Sequence, residues 1–220
     1  MKLIIKPDSV ALYDGGTLIE SIQTDKSSVG NIYKGRILRL LPQMNALSVD
    51  IGTKVPAFLP VSDIREYRQG DEIAVQAVTD ARGTRGSRLL EELSISGFYT
   101  VLIFGKTRGT VGVSKNITDD EKRLHLKAVV RKSLHKGLGA IIRTEAEHVP
   151  DDEIISEING LLTEYESIQR DINYYSAPKL IRVSGTPEKA ICRLWSADVR
   201  EFVFDSDELM QKYPKTYPKA

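Results

Sequence analysis

Residues 30–60, GNIYKGRILRLLPQMNALSVDIGTKVPAFLP, decide the fold of this chain. They hold three apolar runs of strand length, NIYKGRILRLL, NALSVDIG and VPAFLP, separated by Pro42-Gln43-Met44 and Gly52-Thr53-Lys54. A fourth run, DEIAVQAV over 71–78, follows Arg68-Gln69-Gly70. Runs rich in Val, Ile, Tyr and Phe between Pro and Gly read as strands, and short strands at this spacing predict a small barrel.

Working outward toward the amino terminus, KLIIK, SVALY and TLIESI are broken by Pro7-Asp8 and by Asp14-Gly15-Gly16, which predicts a meander of three short strands. On the other side, TDARGTRGSRLLEE over 79–92 has two glycines and three arginines and reads as a loop leaving the barrel. A second module begins near Leu93. GFYTVLIFG is strand-like and GVSKNI is a short strand and turn. Thr118-Asp119-Asp120-Glu121 then has the capping-box spacing that opens a helix.

In that helix Leu126, Val130 and Leu134 recur every four residues, Lys132, His135 and Lys136 suit the last turn, and Gly137 closes it in a left-handed conformation. GAIIRT over 139–144 is the next strand. After Pro150, the residues Ile154, Ile158, Leu161, Tyr165, Ile168 and Ile172 mark the seam of an amphipathic helix, weakened in its middle by Asn159-Gly160. Pro178 ends that stretch. LIRVSG and EFVFD read as strands, Thr186-Pro187-Glu188 opens a helix, and SDELMQKY gives a final helical turn or two. The tail KYPKTYPKA has too little apolar surface to stay ordered alone.

Among the 220 residues 41% are hydrophobic and 28% charged, a globular balance that excludes disorder for most of the chain. No apolar run nears the roughly 18 residues of a membrane span, and the first residues lack a signal-peptide pattern, so a cytoplasmic protein is expected. The single Cys192 excludes an internal disulfide or a paired-cysteine zinc site and reads as a buried small hydrophobe.

A net charge of +1 conceals a strong asymmetry. Residues 30–144 carry 19 Lys/Arg against 11 Asp/Glu, whereas 145–171 carry nine acids and one arginine. A basic front half can present a face for a polyanion, and the competing reading is a pair of solvated faces.

Within the expected barrel, Tyr33 and Phe58 are interleaved with Lys34, Arg36, Arg39, Lys54, Arg65 and Arg68. Bases stack on exposed rings while cations follow the phosphates. The competing reading puts both rings in the core.

These residues carry a resemblance. GNIYKGRILRLLPQMNALSVDIGTKVPAFLP resembles the S-one-type OB barrel at the front of the bacterial ribonuclease E/G endoribonucleases, in order and nearly without gaps. RGTRGSRLLEELSISGFYTVLIF, GVSKNI and GLGAIIRT continue the likeness into the region that senses the 5′ end of RNA, for a span of about 29–182.

The resemblance implies an α+β fold in which a five-stranded OB-type β-barrel is followed by an α+β sensor module, flanked by parts of a reduced RNase-H-like subdomain. The implied boundaries are 1–29 for the amino-terminal strands of that subdomain, 30–91 for the barrel, 92–182 for the sensor, and 183–220 for the rest of the subdomain and the tail. The likeness from Leu194 onward is weak.

By the same resemblance, Phe58 takes the place of a barrel aromatic that stacks on RNA, and Arg85 that of a basic residue at the RNA-facing edge. Tyr33, Lys34 and Arg36 complete the expected RNA-binding set. A second family aromatic falls on Ser48, leaving Tyr33 or Tyr67 to compensate.

In the family an Arg-Thr pair ending a strand holds the 5′-monophosphate, and Arg143-Thr144 match it. A guanidinium fork and a neighbouring hydroxyl suit phosphate oxygens, and such charge-assisted bonds are about twice as strong as neutral ones. Main-chain groups near Gly97 and Val101 are implied as well. Lys115 stands where the family has arginine, keeping charge but losing the bidentate fork. Glu145 and Glu147 are unwelcome beside an anion, and the competing reading of Arg143 is an ion pair with one of them. His148 is close enough in sequence to approach the same pocket, and His125 and His135 lie on a charged helix; all three read as solvated rather than catalytic.

The family's nuclease chemistry belongs to a later DNase-I-like domain in which two aspartates hold Mg²⁺. No catalytic residue, metal site, cofactor or interchain zinc link is therefore expected in these residues. Asp14, Asp50, Asp205 and Asp207 read as ordinary turn and strand-end aspartates, which are commoner than a Mg²⁺ site built from them. The expected partner is single-stranded RNA, preferably 5′-monophosphorylated, with no membrane. Homo-oligomerisation is left open. The alternative function is a single-stranded RNA-binding or regulatory module without 5′-end sensing or catalysis.

Overall fold

The computed structural model describes residues 1–24, 27–106, 109–184, 187–195 and 198–212. The tail beyond Lys212, the Thr186 helix start and the Cys192 side chain lie outside what is described. Two compact units divide the chain. One comprises Met1–Ser27, Ile95–Thr163 and the described part of Gly185–Ala220, and the other Ser28–Ser94 with Glu164–Ser184.

The expected meander is present as β1 (Lys2–Ile5), β2 (Ser9–Asp14) and β3 (Thr17–Gln23), each antiparallel to the next. Leu3 pairs with Leu12 and Ile5 with Val10, so four alternating apolar side chains share one buried face. Gly15 and Gly16, at φ +52° and +88°, make the left-handed turn between β2 and β3.

The barrel is built from β4 (Ile32–Leu41), β5 (Ala46–Asp50), β6 (Ala57–Pro60), β7 (Glu72–Ala77) and β8 (Leu89–Leu90) in the order β6-β5-β4-β7-β8. Phe58 N donates to Ser87 O at 2.8 Å, and a parallel bridge joins Phe58 to Arg88, bringing β6 back to β8 and nearly closing the barrel. The 79–92 segment is thus not only a loop, because it supplies the closing strand. Two residues are too short for a period to show, and what holds them is tertiary: Leu89 is fully buried among Ile37, Leu47, Val49, Leu59 and Val75. A Cβ on Gly86 would lie 1.9 Å from Pro56 O, so the strand reaches its place only because residue 86 has no side chain.

Buried Gln76 ties the barrel exit down. Its amide donates to Gly30 O and Ser94 O at 2.7 and 2.9 Å, and its oxygen accepts from Ser94 N at 2.8 Å.

Next come β9 (Glu92–Ser96), β10 (Thr100–Gly105), β11 (Val111–Val113), α1 (Asp120–Ser133) and β12 (Gly139–Ile142), in a sheet of order β11-β12-β10-β9. β12 runs antiparallel to β10 and parallel to β11. The helix starts one residue later than the Thr118 capping box implied. Asp119 is the cap, accepting from Glu121 N and Lys122 N, because its carboxylate fills the role of the hydroxyl. Leu126 and Val130 are buried as expected, but the helix stops at Ser133, with Leu134 already extended. Gly137 is left-handed at φ +91°, in the turn that follows rather than at the helix end.

A single long helix, α2 (Asp151–Tyr174), runs through Asn159-Gly160 without a break. Ile154, Ile158, Leu161 and Ile168 are buried along it. β13 (Lys179–Arg182) pairs antiparallel with β4 and places Leu180 opposite Tyr33. Ser184 N donates to the Asn31 side chain at 2.7 Å beyond it. Finally α3 (Pro187–Leu194) packs on β1 and β2, β14 (Glu201–Phe204) pairs parallel with β1, and α4 (Asp207–Lys212) follows. The first sheet is therefore β14-β1-β2-β3, joining segments nearly 200 residues apart.

Candidate functional site

The barrel presents its expected RNA-facing residues unequally. Phe58 is half-buried on β6, directly opposite Ser48 on β5, so the position lacking a second aromatic is the cross-strand neighbour of the first. Tyr33 and Tyr67 are core residues, 6% and 8% exposed, which corrects the expectation that either could serve as a stacking ring. Their places follow from the pleat, since Tyr33 points inward with Ile37 and Val75. Lys34 and Arg36 both pair with Glu72, at 3.0 and 2.9 Å, and Arg36 also donates to Ala177 O at 2.8 Å. The Lys34 hydrogen bond first, then that from Ala177 N, with the charges of Lys34 and Arg36 behind them, hold the Glu72 carboxyl below the ordinary glutamate range. Arg85 is exposed in the turn before β8, where its backbone exchanges two hydrogen bonds with Arg82.

The second cluster forms where β11 and β12 end and β10 begins. Arg143 N donates to Tyr99 O, and Ser114 N to Ile142 O, both at 2.8 Å, so backbone pairing sets Tyr99, Ser114 and Arg143 at one rim. Arg143 precedes a 3-10 turn, Thr144–His148. The Thr144 hydroxyl lies 2.9 Å from that of Ser114, next to exposed Lys115.

The Arg143 guanidinium donates to Gly97 O at 3.1 Å and Trp195 O at 2.9 Å, and its Nε lies 3.3 Å from Glu145. Glu145 is thus the acid that meets Arg143, whereas Glu147 faces exposed His148 at 3.8 Å. His125 pairs with Asp151 at 2.8 Å. Val101 is half-buried on β10 opposite Ile141.

An anion already sits beside these residues. The Glu157 carboxylate, from the first half of α2, accepts from Phe98 N at 2.5 Å, Tyr99 N at 3.0 Å and Thr100 N at 2.8 Å. It also accepts from the Thr100 hydroxyl at 2.9 Å. Three consecutive N–H groups converging on one carboxylate make a backbone nest. Gly97 is glycine for the same reason, since a Cβ there would lie 2.5–2.7 Å from the carboxylate atoms. Burial pushes the Glu157 carboxyl above its ordinary value, against the pull of those four donors. Tyr99 packs edge-on against Trp195, as Phe98 does, and burial with the nearby Glu153 and Glu157 charges lifts its phenol to about 12.

Comparison with known proteins falls on this same stretch. The ribonuclease E/G family model matches residues 94–219, more than half of the chain and the whole of the β10–β12 cluster. The chain belongs to the ribonuclease E/G family. It is similar to ribonuclease G of Escherichia coli K12, 38% identical over 67% of this chain and 35% of that protein. Ribonuclease E of Synechocystis is 31% identical over 87% of this chain and 30% of its own length. Ribonuclease E of Haemophilus influenzae is 31% identical over 92% and 24%. The chain spans about a third of the length of the Salmonella typhimurium and Escherichia coli ribonuclease G relatives it matches. Among the described residues no helix is long and apolar enough to cross a membrane.

Sequence reasoning passed over Glu157, Ser114 and Trp195 in this ribonuclease E/G member. One signal was legible: Glu157 lies three residues after Ile154 and next to Ile158, on the seam where α2 is otherwise apolar. A carboxylate on a buried face must find partners, and here it finds a backbone nest. Nothing local marks Trp195, whose carbonyl meets Arg143 from 52 residues away.

Proposed function

We propose that these residues bind single-stranded RNA and read its 5′-monophosphate, within a ribonuclease E/G-like endoribonuclease that acts in RNA processing and decay. The barrel would hold the strand through Phe58, Lys34, Arg36 and Arg85. Arg143 and Thr144 would take the terminal phosphate, with Lys115 as a point charge and the main chain at Gly97 and Val101 lining the pocket. The observation that carries this reading is the gathering of Arg143, Thr144, Ser114 and Gly97 at one rim, a cation and two hydroxyls at the ends of three adjacent strands. A guanidinium and hydroxyls in that arrangement match the oxygens of a phosphoryl group. Mg²⁺-dependent hydrolysis is assigned to the family's DNase-I-like domain and to no residue here.

One observation favours a second reading, an RNA-binding module without 5′-end sensing. Arg143 is already bonded to two carbonyls and to Glu145, so a phosphate must displace the carboxylate.

Titration of a short RNA carrying a 5′-monophosphate or a 5′-hydroxyl separates the two, at two salt concentrations. The variants are Arg143→Lys, which keeps a cation in place, and Thr144→Ala. Tighter monophosphate binding that both variants abolish supports sensing. Equal, salt-sensitive binding of the two RNAs in the wild type leaves the barrel function and removes the sensor.

A further inference from the structure

We propose that Tyr174 and Tyr175, with Lys179, form a stacking platform for single-stranded RNA next to the barrel, an inference that rests on the RNA-binding reading above. Tyr174 closes α2 and is 79% exposed, and Tyr175 is 39% exposed. Single exposed apolar side chains are ordinary and carry no message. This pair differs in being arranged. The rings meet edge to face, with centroids 5.0 Å apart and planes at 84°. The Lys179 ammonium stands 4.8 Å from the centre of the Tyr175 ring.

The turn that follows the rings is pinned to the barrel through both backbone groups of one residue. Ala177 N donates to Glu72 at 3.1 Å, and Ala177 O accepts from Arg36 at 2.8 Å. Pairing of Lys179 with Lys34 then continues the sheet. A surface held this way loses little freedom when a ligand arrives, which is what an interface aromatic needs.

The chemistry around the rings selects a polyanion with exposed bases. Lys179 borders Tyr175, Arg36 is 45% exposed on its side chain, and exposed Lys54 lies in the turn whose Gly52 approaches Pro178. Among the neighbouring acids Glu72 pairs with Lys34 and Arg36 and Glu164 with Arg182 at 2.8 Å, while Asp171 lies one helical turn before Tyr175. Every base has a π-face, so a base can stack on Tyr174 without sequence preference, while Lys179 leaves its weak hold on Tyr175 for the following phosphate. A duplex keeps its bases stacked inside and gains none of this. Leu180 and Val183, both 42% exposed, are the apolar neighbours that an extended peptide would use instead.

The test uses the full chain and a fluorescein-labelled oligouridylate of about ten nucleotides with a 5′-hydroxyl, so that a terminal phosphate plays no part. Tyr174→Ala is expected to weaken binding about tenfold, the loss of one base stack. Tyr174→Trp and Tyr174→Phe restore it. Lys179→Gln flattens the salt dependence, and binding of a duplex of equal length is unchanged by the three Tyr174 variants. Wild-type binding that Tyr174→Ala leaves within twofold overturns the platform and spares the RNA reading, as does a loss that neither Trp nor Phe restores. No wild-type binding removes the RNA reading and the platform with it. Binding of an apolar peptide that Tyr174→Ala abolishes, with RNA binding intact, reassigns the surface and also overturns the proposal.

Discussion

Replacing Glu157 by glutamine tests whether its carboxylate organises the β9–β10 turn. The wild-type group offers two oxygens to three N–H donors and a hydroxyl, with Oε2 serving Phe98 and Oε1 serving Thr100. Glutamine keeps one oxygen and turns an NH₂ toward the remaining N–H. One buried donor, on Phe98 or Thr100, then has no acceptor, at a cost of about 1–3 kcal/mol, and the surviving bonds lose their charge assistance. Relief from burying an ionised group offsets part of this, so the expected loss is about 2 kcal/mol. Glu157→Ala strips all four donors and should cost about 4 kcal/mol. The assay is urea unfolding followed by Trp195 fluorescence.

The pH dependence has a definite sign. Burial holds the folded carboxyl above its unfolded value, so the folded state binds the extra proton between the two values. That part of the stability is present below the ordinary glutamate range and is lost as pH rises through the raised value. Wild type should therefore lose stability relative to Glu157→Gln on going from about pH 4 toward neutrality. A glutamine variant within 0.5 kcal/mol of wild type throughout, or an alanine variant no worse than glutamine, would refute the nest as an organising contact; the threshold is about the usual scatter of surface substitutions.

Other outcomes follow from the same geometry. Gly97→Ala should destabilise the protein in the wild type but far less beside Glu157→Ala, because the added methyl collides with the carboxylate; a double-mutant cycle reads the coupling. If Arg143 takes a phosphate, Glu145→Gln should tighten 5′-monophosphate binding severalfold and leave 5′-hydroxyl RNA unchanged, as measured by anisotropy. Gly86→Ala should open the barrel seam, since its Cβ would overlap Pro56 O, and amide exchange at Phe58 and Val78 would report it. Asp119→Ala removes the α1 cap and should cost about 1 kcal/mol by thermal unfolding.

Much of the architecture is readable from local pattern. The meander, the first four barrel strands and both long helices follow from alternation, turn residues and a seam of Ile and Leu, because burying one face of a strand or helix imposes its own period on the chain. Where the signal is shorter than a period it fails, as with the two residues of β8, and where two carboxylate or hydroxyl caps compete it slips by one residue, as at Asp119. The Arg-Thr pair at 143–144 was singled out by the family resemblance, and Phe58 was legible as a strand aromatic.

Burial of individual rings was not legible. Tyr33 and Phe58 look alike in sequence, yet one is core and the other half-exposed, because the inward face of each strand is chosen by its neighbours across the barrel. The same limit governs the site. The sequence by itself places a guanidinium and a hydroxyl side by side, immediately after β12. Only the tertiary structure decided that Glu145 and two distant carbonyls hold that guanidinium, and that a glutamate from α2 occupies the N–H groups of the turn beside it. The two carbonyls and the nest join residues 46 to 59 positions apart, and partners at that range are selected by folding in three dimensions, where local periodicity carries no information about them, whereas Glu145, two residues from Arg143, was already a candidate in the sequence.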